Sequence, residues 1–382
     1  MSARSRGGPA VTTPSGGRFP RPQSEASPQP PSHALLASVA AEFRADAHDQ
    51  PGVLAALSGP GLDWSGAAGV ADLANGRPLR PTAAVRVASI TKTFTAAAVL
   101  RLVESKRLGL DDPIVPLTSG AILDALGEGG YRIEEMTVRH LLQHTAGLYD
   151  FGADPDYDRE AFARPTHRWT RLEQISWAML HGKPVAPPGT QYHYSDTGYS
   201  ILGNILERVT GDSLGTAYRT LLDFERLGLE SVHLESLEPT PPAAAERAHQ
   251  YVWNADLLAV DPSCDLWGAG GLVSTMRDLA CFVRALFGGK VFQYPETLAA
   301  MLRTVQARGA EAGGMGIFRM PLGPGVWWGH AGFWGVVMAY NPEYDLAVAT
   351  TVTRRPEEHP EEQYELGRRL VSAVCDRARS AE

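Results

Sequence analysis

Apolar residues recur at helical spacing at Leu35, Leu36, Val39 and Phe43, which predicts a helix from Ala34 to about Asp46. Two short runs of strand character follow, Val53–Leu57 and Gly66–Ala71, parted by the turn at Gly59–Gly61. After Ser89 the run ITKTFTAAAVLRLVESKRL meets no Gly or Pro until Gly109 and is apolar on most faces of its first half, the pattern of a largely buried helix. Further helices are predicted over Val138–Gln143, Ser200–Val209, Leu214–Leu222 and Met276–Phe287, the last capped by Ser274 or Thr275 and stopped at Gly288–Gly289. Val326–His330, Phe333–Tyr340 and Leu346–Val352 then alternate or run β-branched between Gly and Asn-Pro turns, as in a meander, and a helix over about Glu362–Ala378 closes the chain. This order predicts an α/β (α+β) fold: one antiparallel sheet built from both ends of the chain, flanked by helices, with a mostly helical insertion between. Residues 1–33, rich in Pro, Ser and Gly, are predicted to be a disordered tail. Residues 34–382 are read as a single domain, its sheet part drawn from about 34–105 and 295–382 and its helical insertion from about 106–294.

Composition narrows the function. The 382 residues are 44% hydrophobic and 20% charged, which is a soluble globular balance. A formal charge of -8 argues against a nucleic-acid partner or a polybasic membrane role. No stretch approaches ~18 uninterrupted apolar residues, and no apolar segment precedes a cleavage site, so the expectation is a non-exported, cytoplasmic protein. Cys264, Cys281 and Cys375 lie far apart without a C-x-x-C pair, which offers neither a disulfide framework nor a thiolate zinc site and fits a reducing compartment. Only four of the 35 basic residues are lysine, at Lys92, Lys106, Lys183 and Lys290, so a lysine beside a nucleophile stands out.

Ser89 and Lys92 are such a pair. V-A-S-I-T-K sets them three apart at the start of the predicted buried helix, so their side chains share a face. The helix N-terminus adds free N–H groups where negative charge develops during acyl transfer. A serine beside an amine able to lose its proton is an activated nucleophile, although S-x-x-K alone is a weak string whose plain alternative is a helix cap and a surface lysine.

The surrounding sequence resembles a family. VRVASITKTFTAAAVLRLVESKRLGLDDPI, MTVRHLLQHTAGL, PPGTQYHYSDTGYSILGNILERVTG, WGAGGLVSTMRDLACF and WGHAGFWG follow one another in the order and spacing of the class C β-lactamase-related serine hydrolases, over roughly residues 34–375. That group includes DD-peptidases, D-aminopeptidases, esterases and some acyltransferases, and the resemblance implies a β-lactamase/DD-peptidase-like fold. It makes Ser89 the nucleophile, Lys92 its proton acceptor, Tyr194 of Y-S-D a sharer of base duty and proton donor to the leaving group, and His330-Ala331-Gly332 the element on the strand lining the site. The implied oxyanion hole is the backbone N–H groups of Ser89 and Phe333. Lys92 and Tyr194 have unperturbed pKa values of roughly 10, so their titration is that of a coupled pair shifted by its surroundings.

Two departures bear on substrate. Asp196 stands where the family usually has Asn, and a carboxylate only accepts hydrogen bonds. Such a group suits a substrate amine, repels a substrate carboxylate and holds a proton on Lys92. His330-Ala331 also lacks the fixed charge and hydroxyl of K-T-G. Both changes weigh against a β-lactam or D-Ala-D-Ala carboxylate and towards an esterase, amidase or aminopeptidase-like enzyme acting on a small acyl or peptide-like substrate, with no cofactor or metal. An acyltransferase or cyclase using the same acyl-enzyme, and a catalytically degenerate binding protein, are the alternatives; the oligomeric state stays open.

Aromatic residues cluster near these motifs. Trp327, Trp328, Phe333 and Trp334 bracket H-A-G, Trp267 precedes a Gly-rich turn, and Tyr149 and Phe151 follow H-T-A-G. They read equally as an acyl pocket or as core, with Trp334, Tyr149 and Gly332 taken as substrate-binding together with Asp196. Gly211-Asp212-Ser213-Leu214 spells another hydrolase string but sits between two helices, where Asp212 or Ser213 serves as a cap. His140 and His144 are four apart on a predicted helix without a third ligand, and are read as structural.

Overall fold

The computed structural model describes residues 32–46, 50–253, 255–307, 310–311, 313–357 and 359–379. Residues 1–31 of the predicted tail lie outside the described residues. Helix α1 (His33–Asp46) leads to β1 (Gly52–Gly59), which turns at Gly61 into β2 (Leu62–Asp72) and then β3 (Arg77–Pro78). Gly61 has a φ of +66°, a backbone state that only glycine adopts freely. From the other end of the chain come β7 (Phe318–Met320), β8 (Trp327–Gly332), β9 (Val336–Asn341) and β10 (Leu346–Val352), while β4 (Val85–Arg86), β5 (His233–Leu234) and β6 (Leu272–Ser274) form a small separate sheet. The main sheet runs β7-β8-β9-β10-β1-β2-β3, every neighbouring pair antiparallel. Its seam joins the two ends of the chain, with Val53 opposite Val352 and Leu57 opposite Val348.

The period-2 alternation of the strands divides two cores. Val53, Ala55, Leu57, Val337, Ala339 and Val348 face one side and pack with Leu36, Ala40 and Phe43 of α1 and with Leu366, Leu370 and Val371 of the C-terminal helix (Glu365–Arg379). Leu54, Ala56, Val336, Met338, Ala347 and Ala349 face the other side, against the larger core. Helix α2 (Thr91–Glu104) runs through that core with every residue from Thr91 to Leu100 buried, which explains why its sequence lacks a polar face. Phe94 in α2 stacks on Phe282 at 3.6 Å and meets Phe224 edge-on.

Several predicted boundaries move, among them that of the second strand, which starts at Leu62 and not at Gly66. The helix expected over Ser200–Val209 is α3 (Asp196–Thr210), four residues longer at its start, because Asp196 sits favourably in the positive first turn while apolar periodicity begins only near Tyr199. The strand expected over Phe333–Tyr340 begins at Val336: residues 333–335 form a turn in which Gly335, with φ +83°, donates its N–H to Gly332 O at 3.1 Å. The final helix starts at Glu365, after a 3-10 turn over Pro360–Tyr364. Thr275 caps α4 (Met276–Phe287), accepting from the N–H of Asp278, and Ser213 caps the helix Leu214–Leu222. No helix among the described residues is long and apolar enough to cross a membrane. Phe94→Ala is expected to lower unfolding free energy by about 3–5 kcal/mol in urea melts, since removal of the stacked, fully buried ring leaves a cavity in the larger core.

Candidate active site

Ser89 lies in a tight turn, Ala88–Ile90, immediately before α2, and is only partly buried. One turn on, Lys92 is 0% exposed. Its Nζ donates to Ser89 Oγ at 2.8 Å and to Ala269 O at 2.7 Å, and lies 2.7 Å from Asp196 Oδ1. Two of its three N–H groups thus have hydrogen-bond acceptors, and the Asp196 carboxylate adds an ion pair from a third part of the chain. Nζ also lies over the Tyr194 ring, 5.1 Å from its centroid.

The Tyr194 hydroxyl lies beside the Ser89 side chain, which acts to lower its pKa. Burial, reinforced by the charge of Asp196, raises the Tyr194 phenol well above its ordinary value, so it stands neutral beside the serine. Two main-chain bonds hold the segment carrying it: His193 N–H donates to His144 O at 2.8 Å, and Ser195 N–H to His144 Nδ1 at 3.1 Å. The His144 ring stacks on Tyr194 at 4.4 Å and on Tyr199 at 4.9 Å. His144 therefore grips the tyrosine from both flanks and one face. It lies beyond the short helix Val138–Leu142, with φ +55°, so it and His140 do not share a helix face. The tell-tale in the sequence was the H-T-A-G turn itself, whose histidine is buried and kept neutral by burial and by Lys92.

His330 on β8 meets Tyr194 edge-on at 6.3 Å and Phe318 at 4.9 Å. Its Nδ1 lies 2.8 Å from Ala331 O, a pure acceptor, which assigns the ring proton to Nδ1 and leaves Nε2 a buried lone pair. Burial, with Lys92 nearby, pushes its pKa down to about 3, so the ring is neutral. Gly332 is required by close approach: a Cβ there would stand 2.3 Å from Val87 O, just ahead of Ser89. β8 thus packs directly on the nucleophile turn, with Phe333 at the following bend.

The carboxylates were the least visible part of the site in the sequence. Asp150 accepts the Asp196 N–H at 2.9 Å and that of Gly152 at 3.0 Å, and burial together with Asp196 raises its pKa. Asp265 is pushed up to about 6 by burial and Asp196, against the pull of Lys92 and of the Trp334 indole N–H, 2.9 Å away. Asp158 is pushed up to about 6 by burial, with Asp265 and Asp196 adding to it and Arg355 opposing. Three carboxyls, at Asp150, Asp196 and Asp265, thus stand near Lys92, and Asp158 lies beyond them between Asp265 and Arg355.

Other aromatic expectations resolve differently. The Trp334 indole is buried among Ala88, Val252 and Leu257 and is spent on Asp265, so it backs the site as packing. The Tyr149 ring lies against Gly182 and its hydroxyl bonds to Asp154; what Tyr149 brings to the site is its carbonyl, which accepts from Ser195 Oγ at 3.1 Å and Thr197 Oγ1 at 2.7 Å. Trp327 and Trp328 are core residues on opposite faces of β8, Phe151 is core as well, and Trp267 carries Arg171 on its ring.

The sequence model of the family described as Beta-lactamase matches residues 36–372. The unguisins hydrolase ungD' of Aspergillus campestris is 28% identical over 249 residues, 62% of this chain and 44% of its own length, so the chain spans less than half of that protein. Esterase EstB of Burkholderia gladioli is 30% identical over 275 residues, 65% of this chain and 69% of its own. Among solved structures, the D-amino acid amidase of Ochrobactrum anthropi complexed with L-phenylalanine amide superposes with a TM-score of 0.76 at 25% identity, covering 90% of this chain and 98% of that one.

The raised carboxyls have a measurable consequence. A carboxyl whose folded pKa lies above its unfolded value holds its proton more tightly in the native state, so its stabilising share is present at low pH and lost as pH rises through about 6. Asp265→Asn keeps an oxygen for the Trp334 indole and does not ionise. In urea unfolding the variant is expected to gain on wild type as pH rises from 4 to 8; a difference that stays constant over that range removes the argument.

Proposed function

The chain belongs to the β-lactamase family of serine hydrolases, and from that premise we propose that it cleaves esters or amides through an acyl-enzyme on Ser89, preferring acyl groups that carry a free amine. The observation that carries this reading is the hydrogen bond from Lys92 Nζ to Ser89 Oγ at 2.8 Å, with the Tyr194 hydroxyl beside the same serine, at the head of a buried helix.

Lys92 begins as an ammonium paired with Asp196, the state that the 2.7 Å contact favours and in which it is no base. Passing one proton to Asp196 turns a desolvated ion pair into a neutral amine and acid, and relieves some of the repulsion among the carboxyls. The amine then takes the Ser89 proton as Oγ attacks the carbonyl carbon. The π electrons move to the carbonyl oxygen, which the N–H groups of Ser89 and Phe333 hold. On collapse Tyr194 gives its proton to the leaving alcohol or amine and recovers one from Lys92. Water repeats the cycle in reverse: it gives its proton to Lys92, attacks the acyl carbon, and Ser89 leaves reprotonated through Tyr194.

The preference for an amine rests on charge. Three carboxyls stand near Lys92, a fourth, Asp158, faces Arg355 where it lies over the Phe333 ring, and His330 is neutral and offers no fixed cation for a substrate carboxylate. A protonated amine supplies the missing positive charge. Likeness to a protein named D-amino acid amidase supports the same choice. A cytoplasmic setting belongs to the proposal, supported by the free thiols of Cys264 and Cys281.

Intact-mass analysis after treatment with an aryl phosphonate is expected to show one adduct that Ser89→Ala abolishes, and that variant is expected to lose about 10⁴-fold or more in kcat/KM. Absence of any adduct on wild type would favour a binding protein. In a panel of short esters, D- and L-amino acid amides and β-lactams, amine-bearing substrates are expected to lead, and Asp196→Asn to shift preference towards β-lactams. Efficient penicillin or cephalosporin turnover by wild type would overturn the reading, and product analysis with added alcohols or amines separates hydrolysis from acyl transfer.

A further inference from the structure

We propose that Gln250 is a positioning residue that sets the separation between the two halves of the oxyanion hole, the Ser89 turn and the bend at Phe333; the inference rests on the acyl-enzyme reading of Ser89. Gln250 is 3% exposed. Its Oε1 accepts the Arg86 N–H at 2.9 Å, and its Nε2 donates to Arg86 O at 3.1 Å and to Trp334 O at 3.2 Å. Arg86 is three residues ahead of Ser89, and Trp334 is the residue after Phe333. One carboxamide therefore ties the main chain just upstream of one oxyanion donor to the main chain just downstream of the other. Both of its N–H groups and one of its oxygen lone pairs are used in doing so.

The two halves need such a tie. The Ser89 turn is strained: Ala88 has φ +47°, outside the region that a residue with a Cβ prefers, and such a conformation persists only where its surroundings over-determine it. On the β8 side, contact with this turn is made through Gly332 against Val87 O and through the apolar group Ala88, Val252, Leu257 and Trp334. Apolar contacts are non-directional and allow sliding, whereas three hydrogen bonds from one planar group set both distance and angle.

Gln250 is itself fixed to the sheet. Its carbonyl accepts the Leu257 N–H at 2.9 Å, the next residue's N–H donates to Thr353 O at 2.8 Å, and Ala248 N–H donates to Ala84 O at 3.1 Å. The carboxamide is thus a rigid bridge from the sheet to both loops. No hydrogen bond of its side chain reaches Ser89, Lys92 or Tyr194, so it acts through the backbone it holds.

The test uses the full-length protein acylated by an arylacryloyl ester of 4-nitrophenol, with the acyl carbonyl stretch read by infrared difference spectroscopy. Gln250→Met, close in shape but unable to make the three bonds, is expected to keep KM within about twofold and lose about 10- to 100-fold in kcat. Its acyl carbonyl band is expected to move to higher wavenumber, as donors that are no longer aligned polarise the C=O less. Gln250→Asn, one methylene short of spanning both loops, is expected to do the same and serves if the Met variant does not fold. Phe94→Ala, destabilised elsewhere in the core, is expected to leave the band in place. An unshifted band with unchanged kcat in either soluble Gln250 variant overturns the positioning role, as does an equal shift in Phe94→Ala. If wild type itself gives no acyl band, it is the Ser89 reading that fails.

Discussion

The site is organised by the burial of one ammonium group. Lys92 has no exposed surface, and a charge removed from water must meet an acceptor at every N–H or be expelled. Its three partners are Ser89 at the head of α2, Asp196 at the head of α3 and the carbonyl of Ala269 in the turn before β6. Three distant pieces of chain therefore have to converge within 3 Å of a single nitrogen. Removing one partner of such a buried pair typically costs about 3–5 kcal/mol, so the geometry that activates Ser89 is also part of what holds the interior in register.

The electrostatics around that nitrogen are unbalanced in a consistent direction. Asp150, Asp158 and Asp265 are each pushed towards protonation, chiefly by burial and then by neighbouring carboxylates, while His330 and His144 are pushed towards neutrality by burial and by Lys92. A site that keeps its histidines uncharged and crowds its carboxyls is strained when empty. On the proposed reading, a cationic substrate relieves that strain, whereas an anionic one adds to it. Stability lost to this crowding is the counterpart of the proposed selectivity for charge, as where binding sites retain unfavourable interactions in the free protein.

The nucleophile turn carries a second strain, of the backbone. Ala88 is left-handed, Gly332 permits β8 to approach Val87, and Gln250 locks the two segments together. The small side chain at 88 and the absent one at 332 are two answers to one requirement: the strand leading to Phe333 must lie against the turn that holds Ser89. In the proposed acyl transfer, N–H dipoles held in this way need no reorganisation when charge appears on the acyl oxygen.

Much of this was legible in the chain. The strand alternation at both ends, the faceless helix after Ser89 and the S-x-x-K, Y-S-D and H-A-G elements together specify the sheet, its flanking helices and the central pairing of Ser89 with Lys92 and Tyr194, because period, helical spacing and turn chemistry are local properties. Asp196 was visible as a departure, and its effect on Lys92 followed from its charge. Tertiary structure alone decided the rest. Asp150, Asp158, Asp265 and Gln250 carry no motif; they matter because loops far apart in sequence bring them to the site, and burial alters what a carboxyl or an amide does there. Trp334, Trp327 and Tyr149 look alike as aromatics beside motifs, yet strand parity, a neighbouring Asp265 and a glycine at position 182 send their rings to packing. Residue type and spacing state which chemistry a chain holds, but direction and desolvation, which set where each group acts and in what protonation state, exist only once the chain has closed on itself.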